Sequence, residues 1–131
     1  MSGATLDLIA DTSAVIGLLR RDARVEEKVE GKNFAITFVT SAEIFLGVLK
    51  ARNQAAAQER CRQVLEDRQV LAGSERTPAL YAYIYHKLEQ RRQLIPVNDI
   101  WIAAIAIETG LPLLARDEHF SRVEGLAVIE C

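Results

Sequence analysis

Short apolar runs alternate along this chain with longer segments whose apolar residues recur at helical spacing. The short runs predict strands at 6–10, 34–39, 70–72, 111–115 and 126–129, and a brief extended segment at 94–97. The longer segments predict helices at 12–20, 40–51, 53–68, 77–88 and 100–109, with a turn or short helix at 117–121. Because strands alternate with helices, we expect an α/β sandwich with a largely parallel central sheet. The order of the strands cannot be inferred from the pattern.

Length and composition limit the possible classes of protein. The 131 residues predict one domain over 1–131, since no repeat, low-complexity tract or linker interrupts the pattern. Cys61 and Cys131 lie far apart, so neither a disulfide framework nor a zinc site is indicated. No run approaches the roughly 18 apolar residues of a membrane span, and the first residues do not resemble a signal peptide. We therefore expect a cytoplasmic protein without a membrane partner.

The overall charge does not by itself indicate a nucleic-acid partner. The chain has 16 basic and 18 acidic residues, a formal net charge of −2. Arginines cluster at 20–24, 60–62 and 91–92, but a solvated helix face is the favoured interpretation of each cluster.

Four carboxylates occur at corresponding places in the pattern. Asp11, Glu43, Asp99 and Asp117 each follow a predicted extended segment within about four residues, at or near the start of the next helix. In an open parallel sheet, the carboxyl ends of the strands share one edge, where ligands bind. We therefore expect the four side chains to converge.

Each of these acids also has a possible structural role. Asp11, Asp99 and Asp117 are plausible N-cap or first-turn residues, and Glu43 could form a capping box with Thr40. Capping explains an acid at one helix start, but it does not require four acids at one sheet edge without equally consistent basic partners. Only Arg116 lies beside one of them in the sequence.

Clustered carboxylates repel one another, and a cation relieves that repulsion. Mg²⁺ and Mn²⁺ favour oxygen ligands and suit phosphodiester hydrolysis, because the ion polarises a phosphoryl oxygen and acidifies water. No dinucleotide, Walker or serine-elbow motif competes with this interpretation. His86 is expected to be an ordinary helix-surface residue. His119 is close to Asp117 in sequence, and a contact with substrate is the less favoured interpretation of this residue.

Four sequence motifs resemble the successive motifs of PIN-domain proteins, and in particular the VapC-type toxins of bacteria and archaea. They are Asp11-Thr12-Ser13, Thr40-Ser41-Ala42-Glu43-Ile44-Phe45-Leu46-Gly47, Asn98-Asp99-Ile100-Trp101-Ile102-Ala103-Ala104, and Arg116-Asp117-Glu118-His119-Phe120 followed by Gly125-Leu126. Each motif alone is weakly specific. Together they cover nearly the whole chain in the order and spacing of the family.

The resemblance implies a three-layer PIN-like sandwich and a Mg²⁺- or Mn²⁺-dependent endoribonuclease, the toxin of a type II toxin–antitoxin pair. It implies that Asp11 and Asp99 hold the metal most directly, whereas Glu43 and Asp117 often act through water. Thr12 and Ser13 match the polar residues that support the first acid. The implied partners are an RNA substrate, a cognate antitoxin and a second copy in a homodimer.

Two local features bear on these implications. Many relatives carry Thr or Ser two residues before the last acid, whereas this chain has Ala115. An antitoxin segment would fit an apolar groove beside the helices at 40–68, lined by Phe45, Leu46 and Leu49, although core packing is the favoured role of these three. Trp101 is expected in the core or in a dimer interface.

Two other functions stay open at this point. The chain could be a PIN nuclease of RNA processing or quality control outside toxin–antitoxin systems. It could also be a non-catalytic RNA- or protein-binding domain, in which the acids only cap helices and form ion pairs.

Overall fold

The computed structural model describes residues 5–131, and in that range it contains five strands and six α-helices. The strands are β1 (Leu8–Ala10), β2 (Phe34–Thr37), β3 (Val70–Leu71), β4 (Leu113–Ala115) and β5 (Val128–Glu130). The helices are α1 (Thr12–Leu19), α2 (Ala23–Val29), α3 (Phe38–Lys50), α4 (Gln54–Leu65), α5 (Thr77–Gln90) and α6 (Val97–Thr109), and a 3₁₀ helix spans Glu118–Arg122. The predicted α/β architecture is confirmed.

All the strands pair in parallel, in the order β3-β2-β1-β4-β5. The chain builds the sheet outward from β1 to β3, and then returns to place β4 on the other side of β1. The order therefore reverses between β1 and β4. In parallel α/β sheets a crevice forms at such a reversal, beyond the carboxyl ends of the two strands.

Two apolar cores lie on opposite faces of the sheet and make the fold a three-layer sandwich. In β1, Ile9 packs with α5 and α6 on one face, whereas Leu8 and Ala10 pack with α1 and α3 on the other. Every residue of β1 and β4 is buried, which explains why these strands appear in the sequence as unbroken apolar runs. Trp101 packs against the first core and stacks on Tyr81, with ring centroids 4.0 Å apart.

Some predicted boundaries were wrong. The strand at 34–39 ends at Thr37, because the Thr37 hydroxyl accepts a hydrogen bond from the Thr40 backbone N–H and begins α3. The segment 94–97 forms no strand, and Val97 already belongs to α6. Helix α2 was not predicted, since it is short and buries only Val25.

No helix in residues 5–131 has the length and apolar character needed to cross a membrane.

Helices α1 and α2 approach each other closely at Gly17. A Cβ atom at this position would lie 2.6 Å from Cγ2 of the fully buried Val25. Gly47, in the middle of α3, is exposed and has nothing within 4 Å of such a Cβ. The two glycines therefore test packing and helix propensity separately.

We expect Gly17→Ala to lower the free energy of unfolding by about 1–3 kcal/mol, because the added methyl overpacks the α1–α2 contact. Gly47→Ala should raise it by up to about 1 kcal/mol, because alanine favours the helix. Urea unfolding of both variants measures the difference. Equal effects would contradict the close α1–α2 contact.

Candidate active site

Asp11 follows β1 directly and is 3% exposed. Its carboxylate caps α1 by accepting the Ala14 backbone N–H at 2.8 Å, and it also accepts the Ser13 hydroxyl at 2.8 and 3.0 Å from its two oxygens. Burial raises the pKa of Asp11 to about 6, against these hydrogen bonds, and the charges of Asp99 and Asp117 add to the rise. The N-cap carboxylate of α1 is therefore close enough to Asp99 and Asp117 for their charges to affect its pKa.

Asp99 lies in the first turn of α6, and its side chain is 18% exposed. Burial again is the main cause that raises its pKa to about 6, and the negative charges of Asp117 and Glu43 contribute further. A carboxyl group that is desolvated and surrounded by like charges resists ionisation unless a cation is present.

Asp117 follows β4 and begins the 3₁₀ helix. Its Oδ1 accepts the His119 backbone N–H at 2.9 Å, so it too is an N-cap. Since β4 is the neighbour of β1, Asp117 and Asp11 stand on the two sides of the reversal in strand order.

Glu43 reaches the same end of the sheet from α3. Its Oε1 accepts the Thr12 hydroxyl at 2.6 Å, and the Thr12 oxygen lies 3.0 Å from that of Thr40. The capping-box interpretation was wrong, because the N-cap of α3 is Thr37 and Glu43 bonds to another helix. A hydroxyl from α1 thus orients this carboxylate.

No lysine or arginine in residues 5–131 forms an ion pair with any of these acids. Arg116 is the nearest in sequence, yet its Nη1 lies 2.5 Å from Oδ2 of Asp22, while its backbone N–H donates to Ser13. The site is therefore rich in oxygen donors and negative charge without a fixed basic partner, a set that fits a hard divalent cation.

His119 is nearer to the acids than the sequence indicated. Its Nδ1 lies 2.9 Å from Oδ1 of Asp117 and 3.8 Å from Oδ2 of Asp99. One ligand atom from each of the three residues can be chosen so that all lie within 4.8 Å of one another. The signal in the sequence was its position two residues after Asp117, on the turn that this acid caps.

Ala115, the position at which the sequence resemblance predicts a hydroxyl, is 1% exposed and packs in the core beneath the site. The nearby Ser13 hydroxyl accepts the Arg116 backbone N–H at 3.0 Å and so ties α1 to the end of β4.

A second surface, which we call the α3–α4 groove, lies between these two helices and β3. It has a volume of about 880 Å³, and its lining includes Ser41, Phe45, Leu49, Cys61, Leu65 and Val70. Phe45 and Leu49 are 70% and 66% exposed, so the favoured prediction that they pack in the core was wrong. Leu46, 51% exposed, lies outside the groove.

Comparisons with known proteins show the family of the chain. A family model, the PIN domain, matches residues 8–126. The chain is 31% identical over 125 residues to Ribonuclease VapC4 of Mycobacterium tuberculosis (strain ATCC 25618 / H37Rv), across 92% of this chain and 94% of that protein.

Two solved structures have the same fold. VapBC2 from Rickettsia felis, bound to a DNA fragment from its promoter, matches with a TM-score of 0.86 and 21% identity, across 96% of this chain and 99% of that one. VapBC-5 from Mycobacterium tuberculosis, a member of the VapBC family of toxin-antitoxin systems, matches with a TM-score of 0.77 and 24% identity, across 97% and 100%. The chain belongs to the PIN-domain family and is a relative of the VapC ribonucleases.

Proposed function

We propose that this protein is a divalent-metal-dependent endoribonuclease that uses Mg²⁺ or Mn²⁺ and serves as the toxin of a type II toxin–antitoxin pair. The observation that carries the proposal is the convergence of desolvated carboxylates that no lysine or arginine in residues 5–131 pairs with, which raises the pKa of both Asp11 and Asp99 to about 6. At neutral pH a bound cation would stabilise such a site, because it relieves the repulsion between the ionised carboxylates. The ribonuclease names of its relatives support RNA as the substrate.

In this proposal the residues divide the work. Asp11 and Asp99, the two most desolvated acids, hold the ion most directly, and Glu43 and Asp117 hold it directly or through water. Ser13 and Thr12 keep the carboxylates of Asp11 and Glu43 in place by donating hydrogen bonds to them. When bound, the ion would supply positive charge to the phosphoryl group and acidify water for attack. Backbone N–H groups at the start of α6 lie at the same edge and suit phosphate oxygens.

We expect Asp11→Asn and Asp99→Asn each to reduce metal-dependent cleavage of a structured RNA by at least about a hundredfold. The ion would stabilise the transition state by several kcal/mol, and each 1.36 kcal/mol of lost stabilisation lowers the rate about tenfold. Cleavage is followed by gel electrophoresis with Mg²⁺, with Mn²⁺ and with a chelator.

The matched control is Asp67→Asn, the same chemical change at an exposed turn residue with a φ of +64°, which asparagine readily adopts. This variant should cleave like the original protein. Full cleavage by both active-site variants would contradict the proposal and favour a non-catalytic domain.

Stability should depend on pH through Asp99. Its pKa is raised from 3.8 to about 6 on folding, so between these values the folded state binds more protons and stability falls as pH rises. In a chelator at about pH 7, we expect Asp99→Asn to raise the melting temperature and to increase the free energy of unfolding by up to about 3 kcal/mol. Near pH 4 the substitution should change both quantities little.

Mn²⁺ should remove the advantage in melting temperature that Asp99→Asn has over the original protein in a chelator. Millimolar Mn²⁺ at neutral pH should stabilise the original protein by mass action and leave Asp99→Asn unchanged. An equal effect of Mn²⁺ on both proteins would contradict metal binding at this site.

The α3–α4 groove supports an antitoxin as the partner. Large apolar side chains as exposed as Phe45 and Leu49 mark an interaction surface when they are contiguous. Solved relatives are VapBC complexes, so we propose that an apolar antitoxin segment binds this groove. The homodimer stays a prediction.

We expect Phe45→Ser and Leu49→Ser each to weaken antitoxin binding by at least about tenfold, because burial of such a side chain contributes about 1.5–3 kcal/mol. The ligand for this test is the protein encoded by any short reading frame found directly upstream, and titration calorimetry measures its affinity. Leu46→Ser, on the same helix but outside the groove, is the matched control and should bind normally. The lack of any such frame would favour a nuclease of RNA processing instead.

A further inference from the structure

His119 places a ring nitrogen beside two of the four acids, Asp99 and Asp117. Its Nδ1 is buried and has no hydrogen-bond partner of acceptable geometry within residues 5–131, although Asp117 Oδ1 is 2.9 Å away. A buried polar atom is costly unless something satisfies it. The atoms near Nδ1 are carboxylate oxygens of Asp99 and Asp117. A proton or a metal cation located between the nitrogen and these oxygens would satisfy Nδ1.

The backbone of His119 is held in place by its neighbours in the chain. The His119 backbone N–H is tied to Asp117 at 2.9 Å, and the next residue, Phe120, is completely buried in the core. The backbone that carries the ring is therefore held at the site, and in this position Nδ1 faces Asp99 and Asp117 although 39% of the side chain is exposed.

The separations suit a shared ion. Two ligand atoms that are each about 2.1 Å from one ion lie at most about 4.2 Å apart. Nδ1 is 2.9 Å from the Asp117 oxygen and 3.8 Å from the Asp99 oxygen, within that limit. With its proton on Nε2, the ring presents an electron pair at Nδ1.

We propose that His119 is a metal ligand through Nδ1, with Asp99 and Asp117, and that this nitrogen makes the site prefer Mn²⁺ to Mg²⁺. Imidazole nitrogen is a poor ligand for Mg²⁺, whereas Mn²⁺ accepts nitrogen and carboxylate oxygen together. This inference rests on the proposed metal dependence and adds a nitrogen to a site otherwise made of oxygen.

The test uses Mn²⁺ alone, with no RNA. Pulsed electron paramagnetic resonance of the Mn²⁺-loaded full chain should show the ¹⁴N coupling of a directly coordinated imidazole. The sequence has only two histidines, so His86→Asn, at an exposed position of α5, is the matched control and should keep the signal. His119→Asn should lose it.

Affinity provides the second readout. Asparagine can still donate a hydrogen bond near the position of Nδ1, so a purely structural role would survive His119→Asn. Ligation predicts instead that Mn²⁺ affinity falls about tenfold or more while Mg²⁺ affinity changes less than about twofold. Free Mn²⁺ is counted by its resonance signal, and Mg²⁺ is measured by competition.

The outcomes separate this inference from the proposed function. Mn²⁺ binding without imidazole coupling would overturn the role of His119 and leave the metal site standing. The absence of Mn²⁺ binding by the original protein would overturn both. The spectrum of the original protein decides between these outcomes even if His119→Asn does not fold.

Discussion

The structure of this site depends on negative charge at the point where the strand order reverses, which no basic side chain in residues 5–131 neutralises. Asp11 and Asp117 follow the adjacent strands β1 and β4, and Asp99 and Glu43 enter from helices on either side. Burial removes the water that would stabilise these charges. The protein compensates with hydrogen-bond donors: Ser13 and the Ala14 N–H serve Asp11, and Thr12 serves Glu43.

Capping and metal binding use the same carboxylates here. A helix start offers N–H groups and about half a positive charge, which favours a nearby carboxylate without neutralising it. Asp11 and Asp117 are N-caps, and Asp99 is in a first turn, yet all keep a negative charge available for a cation. A full cation such as arginine would remove that charge. Arg116 is beside Asp117 in sequence, but Asp22 holds its guanidinium.

Most of the helices and strands could be predicted from the sequence, because buried parallel strands appear as unbroken apolar runs and amphipathic helices have a strong periodic pattern. Motif spacing placed the four acids at one sheet edge, and the structure brings their charges together. The strand order was not predictable, since it depends on which face each connection covers. Helix α2 was missed because a seven-residue helix with one buried side chain has almost no stripe.

Contacts that depend on tertiary packing were also beyond the sequence. An apolar residue at helical spacing predicts burial but not what buries it, so Phe45 and Leu49 were expected in the core although they line an open groove. Likewise, Glu43 stood three residues after Thr40 as a capping box requires. Its actual partner, Thr12, is on another helix, 31 positions away in the chain.

Helix α3 connects the groove to the acidic site. Phe45 and Leu49 lie about 200° and 240° around the helix from Glu43, so a segment in the groove contacts the opposite face. Rotation of α3 would disturb Glu43, but it would break the Thr37 cap and the contact of Thr40 with Thr12. Ser41 also lines the groove, and because two residues along a helix correspond to about 200°, it too lies on the face away from Glu43. A groove-bound segment would therefore leave Glu43 and its bond to Thr12 in place, and it would have to pass around α3 before any of its side chains reached the acids.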